Sequence, residues 1–116
     1  MCSSDLFYRL GEARLQLGKF HEAREALVRS NQLREDMPET LYQLGKAAAM
    51  DGDDTMAQKS WQHLLSLEKG TPLAAQAHFG LSGIYRKQGK SADAEREMEE
   101  FRKLQSKPAH TDDSPK

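Results

Sequence analysis

The sequence predicts an all-α fold: an α-solenoid of three helix-turn-helix repeats, about six antiparallel helices in a right-handed superhelical stack. Three observations carry this expectation. The chain matches itself at a fixed offset, glycines recur at that offset, and the apolar residues between them keep helical spacing.

The offset comes first. A shift of 34 residues lays Gly45 over Gly11, Leu44 over Leu10, Tyr42 over Tyr8, Gly52 over Gly18 and Ala57 over Ala23. A further shift of 37 lays Leu81 over Leu44, Gly89 over Gly52 and Ala94 over Ala57, so the third unit follows an insertion of three residues. The extra length is expected near Glu68–Pro72, between helices, where added residues cost little.

Each unit reads as two helices. Phe7, Leu10, Arg14 and Leu17 in the first unit keep three-and-four spacing, with only Arg14 out of pattern. Leu41, Leu44 and Ala48, then Leu81, Ile84 and Tyr85, continue it. Gly18, Gly52 and Gly89 follow, where a helix ends best in a left-handed residue. Second helices are expected through Ala23–Leu33, Ala57–Leu67 and Ala94–Leu104. Thr71 offers an N-cap before Pro72, and Pro38 also stands near a helix start.

These residues resemble the tetratricopeptide repeat. Unit one reads Phe7-x2-Leu10-Gly11-x2-Arg14, then Ala23-x3-Leu27. Unit two reads Leu41-x2-Leu44-Gly45-x2-Ala48, then Ala57-x3-Trp61, and unit three His78-x2-Leu81-Ser82-x2-Tyr85, then Ala94-x3-Met98. Arg14 and Ala48 stand where an aromatic is usual, and Ser82 replaces glycine. The small residues have a physical reason of their own, since helices cross closely only where side chains are short. Leu27, Trp61 and Met98 are expected to fill the spaces between units, with Trp61 read as core. The domain is placed at residues 1–105, in repeats of about 4–37, 38–74 and 75–105, with a disordered tail over 106–116.

The resemblance implies that first helices line a concave groove. Carried onto this chain, the groove positions include Tyr8, Glu12 and Gln16, then Tyr42, Lys46 and Met50, then Phe79, Arg86 and Lys87. Asp5, Leu15, Glu39, Ala49, Gln76 and Gly83 complete the set. Tyr8, Tyr42 and Phe79 would form an aromatic ladder; the alternative is that they pack on neighbouring helices. The implied partner is a protein or peptide held in that groove. Some relatives grip chaperone tails through a clamp of Lys, Asn and Arg, but the matching residues here are Tyr8, Glu12, Gln43, Gln76 and Gly80.

Composition narrows the function further. With 17 basic and 18 acidic residues and a net charge of −1, the chain lacks the basic excess that concentrates around phosphates, so no nucleic acid is expected as partner. No apolar run reaches bilayer length, so no membrane partner is expected. The compartment stays open. The single cysteine, Cys2, excludes an internal disulfide. His21, His63, His78 and His110 show no i, i+4 pair, and Asp51-Gly52-Asp53-Asp54 lacks the calcium-loop glycine and glutamate, so neither metal nor cofactor is expected. No nucleophile-base pattern or phosphate loop points to an enzyme.

The two ends differ. The last helix surrounds Ala94, Met98, Phe101 and Leu104 with charge, as a terminal repeat needs. At the front, Leu6, Phe7, Leu10 and Leu17 have no polar helix before them, which is read as the start of the C-terminal part of a larger repeat protein. Weak self-association through the first helix is expected, and an enzyme's accessory domain or a dimerising spacer are the rival functions. Met1–Leu6 also resembles adapter-derived sequence that recurs at the ends of translated reads.

Overall fold

The computed structural model describes residues 3–111, with side chains through residue 105. They form six helices, and no strand occurs among the described residues. These are α1 (Ser3–Gln16), α2 (Phe20–Leu33), α3 (Pro38–Met50), α4 (Asp54–Leu67), α5 (Pro72–Lys87) and α6 (Ser91–Thr111). None is long and apolar enough to cross a membrane among the described residues.

Each hairpin closes the same way. Gly18, Gly52 and Gly89 take φ of 78°, 89° and 77°. The next residue then donates its amide back across the turn: Lys19 to the Arg14 carbonyl at 2.9 Å, Asp53 to Ala48 at 2.8 Å and Lys90 to Tyr85 at 2.8 Å. This leaves fewer carbonyls of the ending helix unpaired, and a β-carbon would be strained at that backbone angle. The following helices begin differently. The Asp53 side chain accepts from the Met56 amide at 3.1 Å, which caps α4.

The links between repeats, 34–37 and 68–71, are equally long. The three extra residues of unit three therefore lie inside α5 and not between helices as expected. Thr71 caps α5 by accepting from the Ala74 amide at 3.0 Å, and Pro72 follows at its first position. The insertion thus adds a helical turn, because the cap-and-proline signal sits ahead of it. At the other end, α6 runs on to Thr111, past the boundary at 105 where the tail was expected to begin. Residues 112–116 of that tail lie outside the described residues.

Consecutive helices pack as antiparallel neighbours. Among the described residues the first helices α1, α3 and α5 also approach one another in order, while the backbones of α2, α4 and α6 stay further apart. First helices therefore make an inner layer and second helices an outer one. Two apolar clusters join the repeats. Ala23, Leu27, Leu44 and Ala47 lie between the first and second. Leu41, Ala48, Ala57, Trp61, Leu64, Ala77, Leu81 and Ile84 lie between the second and third. Leu27 and Trp61 are buried as expected, and burial of such a side chain contributes roughly 1.5–3 kcal/mol. Met98, expected to be equally buried, is only half-buried, because α6 has no further repeat against it.

The departures from the repeat pattern have local explanations. Arg14 sends Nη1 to the Glu22 carbonyl at 3.3 Å. Ala48 is fully buried, and Ser82 turns its hydroxyl onto the Phe79 carbonyl at 2.7 Å.

Candidate functional site

The inner layer presents the groove positions. None of the fifteen residues assigned to them is fully buried. A cleft of about 360 Å³ opens between α1 and α3, lined by Glu12, Leu15, Gln16, Gly18, Phe20, Gln43, Lys46 and Met50. It brings together five expected residues: Glu12, Leu15, Gln16, Lys46 and Met50. Its lining combines apolar Leu15, Phe20 and Met50 with one acid and one base, Glu12 and Lys46, which suits one apolar side chain beside a polar backbone.

Gly18 and Phe20 were not among the expected groove residues, and Gln43 entered only as a position matching the chaperone-tail clamp. Phe20 opens α2 at the place where units two and three carry Asp54 and Ser91. An aromatic at a helix start, where its counterparts are polar, was the readable signal. The counterparts of Phe20 and Met50 one repeat on are Asp54 and Lys87, and these form an ion pair at 3.0 Å. The cleft's apolar walls are thus specific to the first two repeats.

A second cleft, of about 220 Å³, holds Tyr8 with Ser4, Asp5, Arg9, Met37, Glu39 and Thr40. Burial raises the pKa of Tyr8 and the Glu12 charge adds to this, while the Gln43 side chain opposes both. Burial likewise raises the pKa of Tyr42.

The aromatic ladder is uneven. Tyr8 and Tyr42 are half-buried and pack against the two inter-repeat clusters. Phe79 is 53% exposed and meets the Phe101 ring at 5.2 Å between centroids. Arg86 is exposed, and Lys87 is held by Asp54. Neither Phe79, Arg86 nor Lys87 lines the two clefts.

The acidic turn is occupied by structural work. Arg24 binds Asp51 at 3.1 Å and Asp53 at 2.8 Å, and His21 approaches Asp51 at 3.2 Å. His63 meets Asp36 and His78 meets Glu97, each at 2.6 Å. No group of His, Cys, Asp and Glu among the described residues could hold a metal ion.

Three stacked helical hairpins with a solvent-facing inner layer define a helical-repeat scaffold. The chain belongs to the tetratricopeptide repeat family, whose profile matches residues 8–59 and 57–109. Comparison with curated proteins gives no match. Among solved structures, the crystal structure of MamA superposes with a TM-score of 0.83 at 21% identity, covering 91% of this chain and 60% of that one. The chain thus spans less than two thirds of MamA. The structure of PcrH in complex with the chaperone binding region of PopB also superposes with a TM-score of 0.83, at 20% identity, covering 93% of this chain and 86% of that one. Both likenesses are of fold.

Proposed function

We propose that this chain is a non-catalytic scaffold that holds an extended peptide or a helix of another protein in the groove of its first helices. The observation that carries the reading is the cleft between α1 and α3, lined by exposed Met50 and half-buried Leu15 and Phe20 together with Glu12 and Lys46. Solvent-facing apolar side chains in a concavity with few polar groups are what a peptide anchor requires. The PcrH structure, which holds a segment of PopB, supports the same use of this fold.

Charge gives the peptide a direction. Asp5, Glu12 and Glu39 lie toward the front of the groove, and Arg86 and Lys87 toward the back. A ligand basic at the α1 end and acidic at the α5 end fits this polarity.

A random-peptide library selected on the chain tests the reading. Enriched peptides should crosslink from a photoreactive residue at Met50 and not from one at Lys59 on the outer helix α4. Equal crosslinking from both positions, or no enrichment, would overturn the groove. A second reading, in which the stack is an assembling spacer, is favoured by the exposed apolar stripe on α1. The same stripe is where the expected larger repeat protein would place a further repeat.

A further inference from the structure

We infer, resting on the groove reading above, that the ligand's main chain crosses α5 at Gly83 and that Lys46 and Arg86 take a carboxylate beside it. The groove then selects an extended segment that carries an acidic residue close to one apolar anchor.

Gly83 is the glycine without a use inside the chain. Gly11, Gly45 and Gly80 also lie within first helices, and a β-carbon at each would strike Leu27 or Trp61. Those three serve close helix packing. A β-carbon at Gly83 would meet nothing within 4 Å, so internal packing does not call for glycine there. Within a helix, glycine also lowers stability relative to alanine. What it leaves is bare α5 backbone at a groove position, in register with Lys46 on α3 and Glu12 on α1. Another main chain can approach a helix that closely only where no side chain stands between them.

The charges beside this bare stretch are of one sign. Lys46 and Arg86 are exposed, and among the described residues neither is held by an acid. Arg86 lies one helical turn beyond Gly83 on α5. The neighbouring charges are placed otherwise. Lys87 is bound to Asp54 at 3.0 Å, Glu39 lies about two turns before Lys46 on α3, and Glu12 stands on α1 across the cleft. Two unpaired cations flanking bare backbone fit a carboxylate, and Glu12 disfavours the opposite placement, with the acid on the α1 side.

The cleft decides the ligand's conformation. Gln16 and Gln43 in its lining carry carboxamides, which pair with the free N–H and C=O groups of an extended chain. A helix has those groups already paired within itself. Neighbouring helices lie about 8–10 Å apart and an extended chain rises about 3.3 Å per residue, so the acid falls about three residues from the anchor.

Selection of a random peptide library on the chain, with crosslinking from Met50, first shows whether the groove binds. Enriched peptides should carry Asp or Glu about three residues from a bulky apolar residue. A chain with Lys46→Glu and Arg86→Glu should bind such a peptide about tenfold more weakly, and regain the affinity when the peptide's acid is replaced by lysine. Gly83→Leu should also weaken the peptide about tenfold, with no fall in melting temperature by circular dichroism. Gly83→Ala should weaken it less and melt no lower than the parent, and it carries this arm if the leucine variant does not fold. Peptides that crosslink at Met50 but lack the acid overturn this inference and leave the groove reading standing. So do peptides that bind the charge-reversed chain or the Gly83 variants as tightly as the parent, or a loss that lysine does not restore. A library with no enrichment removes the groove reading and this inference with it.

Discussion

Trp61 occupies the space that a side chain at Gly45 would need. A β-carbon on Gly45 would stand 2.4 Å from the indole Nε1, which donates to the Tyr42 carbonyl at 3.2 Å. Gly80, in the next repeat, lies equally close to the other end of the indole, where a β-carbon would come within 2.6 Å of Cζ3. One ring therefore joins the two helices of its own repeat and the first helix of the following one. Gly45→Ala should cost about 1–3 kcal/mol through overpacking of a ring that cannot withdraw. Gly83→Ala, also inside a helix but with open space around its β-carbon, should be neutral or gain about 0.5–1 kcal/mol. Denaturant melts of the two variants check the contrast; equal stability would mean that Trp61 is not wedged as described.

Asp53 serves two elements at once. One oxygen caps α4 and the other holds Arg24 of the preceding repeat. Asp53→Ala should cost about 1 kcal/mol or slightly more, mostly from the cap. Asp53→Asn keeps a capping oxygen and should lose only the ion-pair part, about 0.2–1 kcal/mol. Urea titrations of both variants would separate the two roles, and an asparagine variant as weak as the alanine one would assign the effect to the charge.

The period, the turn glycines and the small crossing residues were legible because each has one physical job that its residue type advertises. Gly45 and Gly11 show it: the spaces they leave are filled by Trp61 and Leu27, as their spacing implied. The place of the insertion was misread because loop and first helical turn tolerate added residues alike, and Thr71-Pro72 decides between them only when taken as the helix start. The groove was legible in part. Glu12, Leu15, Gln16, Lys46 and Met50 converge, but Phe20 belongs to a second helix and lay outside the positions considered. The differing exposure of Tyr8, Tyr42 and Phe79 was invisible in the sequence, since the same register position is covered by a following repeat in two units and by none in the third.

Alkaline pH should weaken the fold through its tyrosines. The folded state raises the pKa of Tyr8 and Tyr42 above the usual 10.0, chiefly by burial. The neutral phenol is therefore favoured in the fold. That stability is complete below the usual value and is lost as pH rises through the raised one. Melting temperature should fall above about pH 10, and less steeply in a Tyr8→Phe, Tyr42→Phe double variant. An identical fall in the double variant would place the alkaline sensitivity elsewhere.

The groove itself is best tested by separating binding from stability. Met50 is 56% exposed on the cleft wall and belongs to neither apolar cluster, so Met50→Glu should shift stability by no more than about 0.5 kcal/mol. An anchor side chain seated against it would lose the contact and meet a charge, a loss of about 2 kcal/mol or more, roughly thirtyfold in Kd. Tyr42→Ala should behave differently, because that ring is half-buried against the Trp61 cluster. Its removal should lower the melting temperature together with the affinity. Library-selected peptides, titrated against parent, Met50→Glu, Tyr42→Ala and the outer-helix control Lys59→Glu, give the binding arm, and circular-dichroism melts give the stability arm. If Met50→Glu binds as tightly as the parent while Lys59→Glu does not, the ligand sits on the outer layer and the cleft between α1 and α3 is not the site.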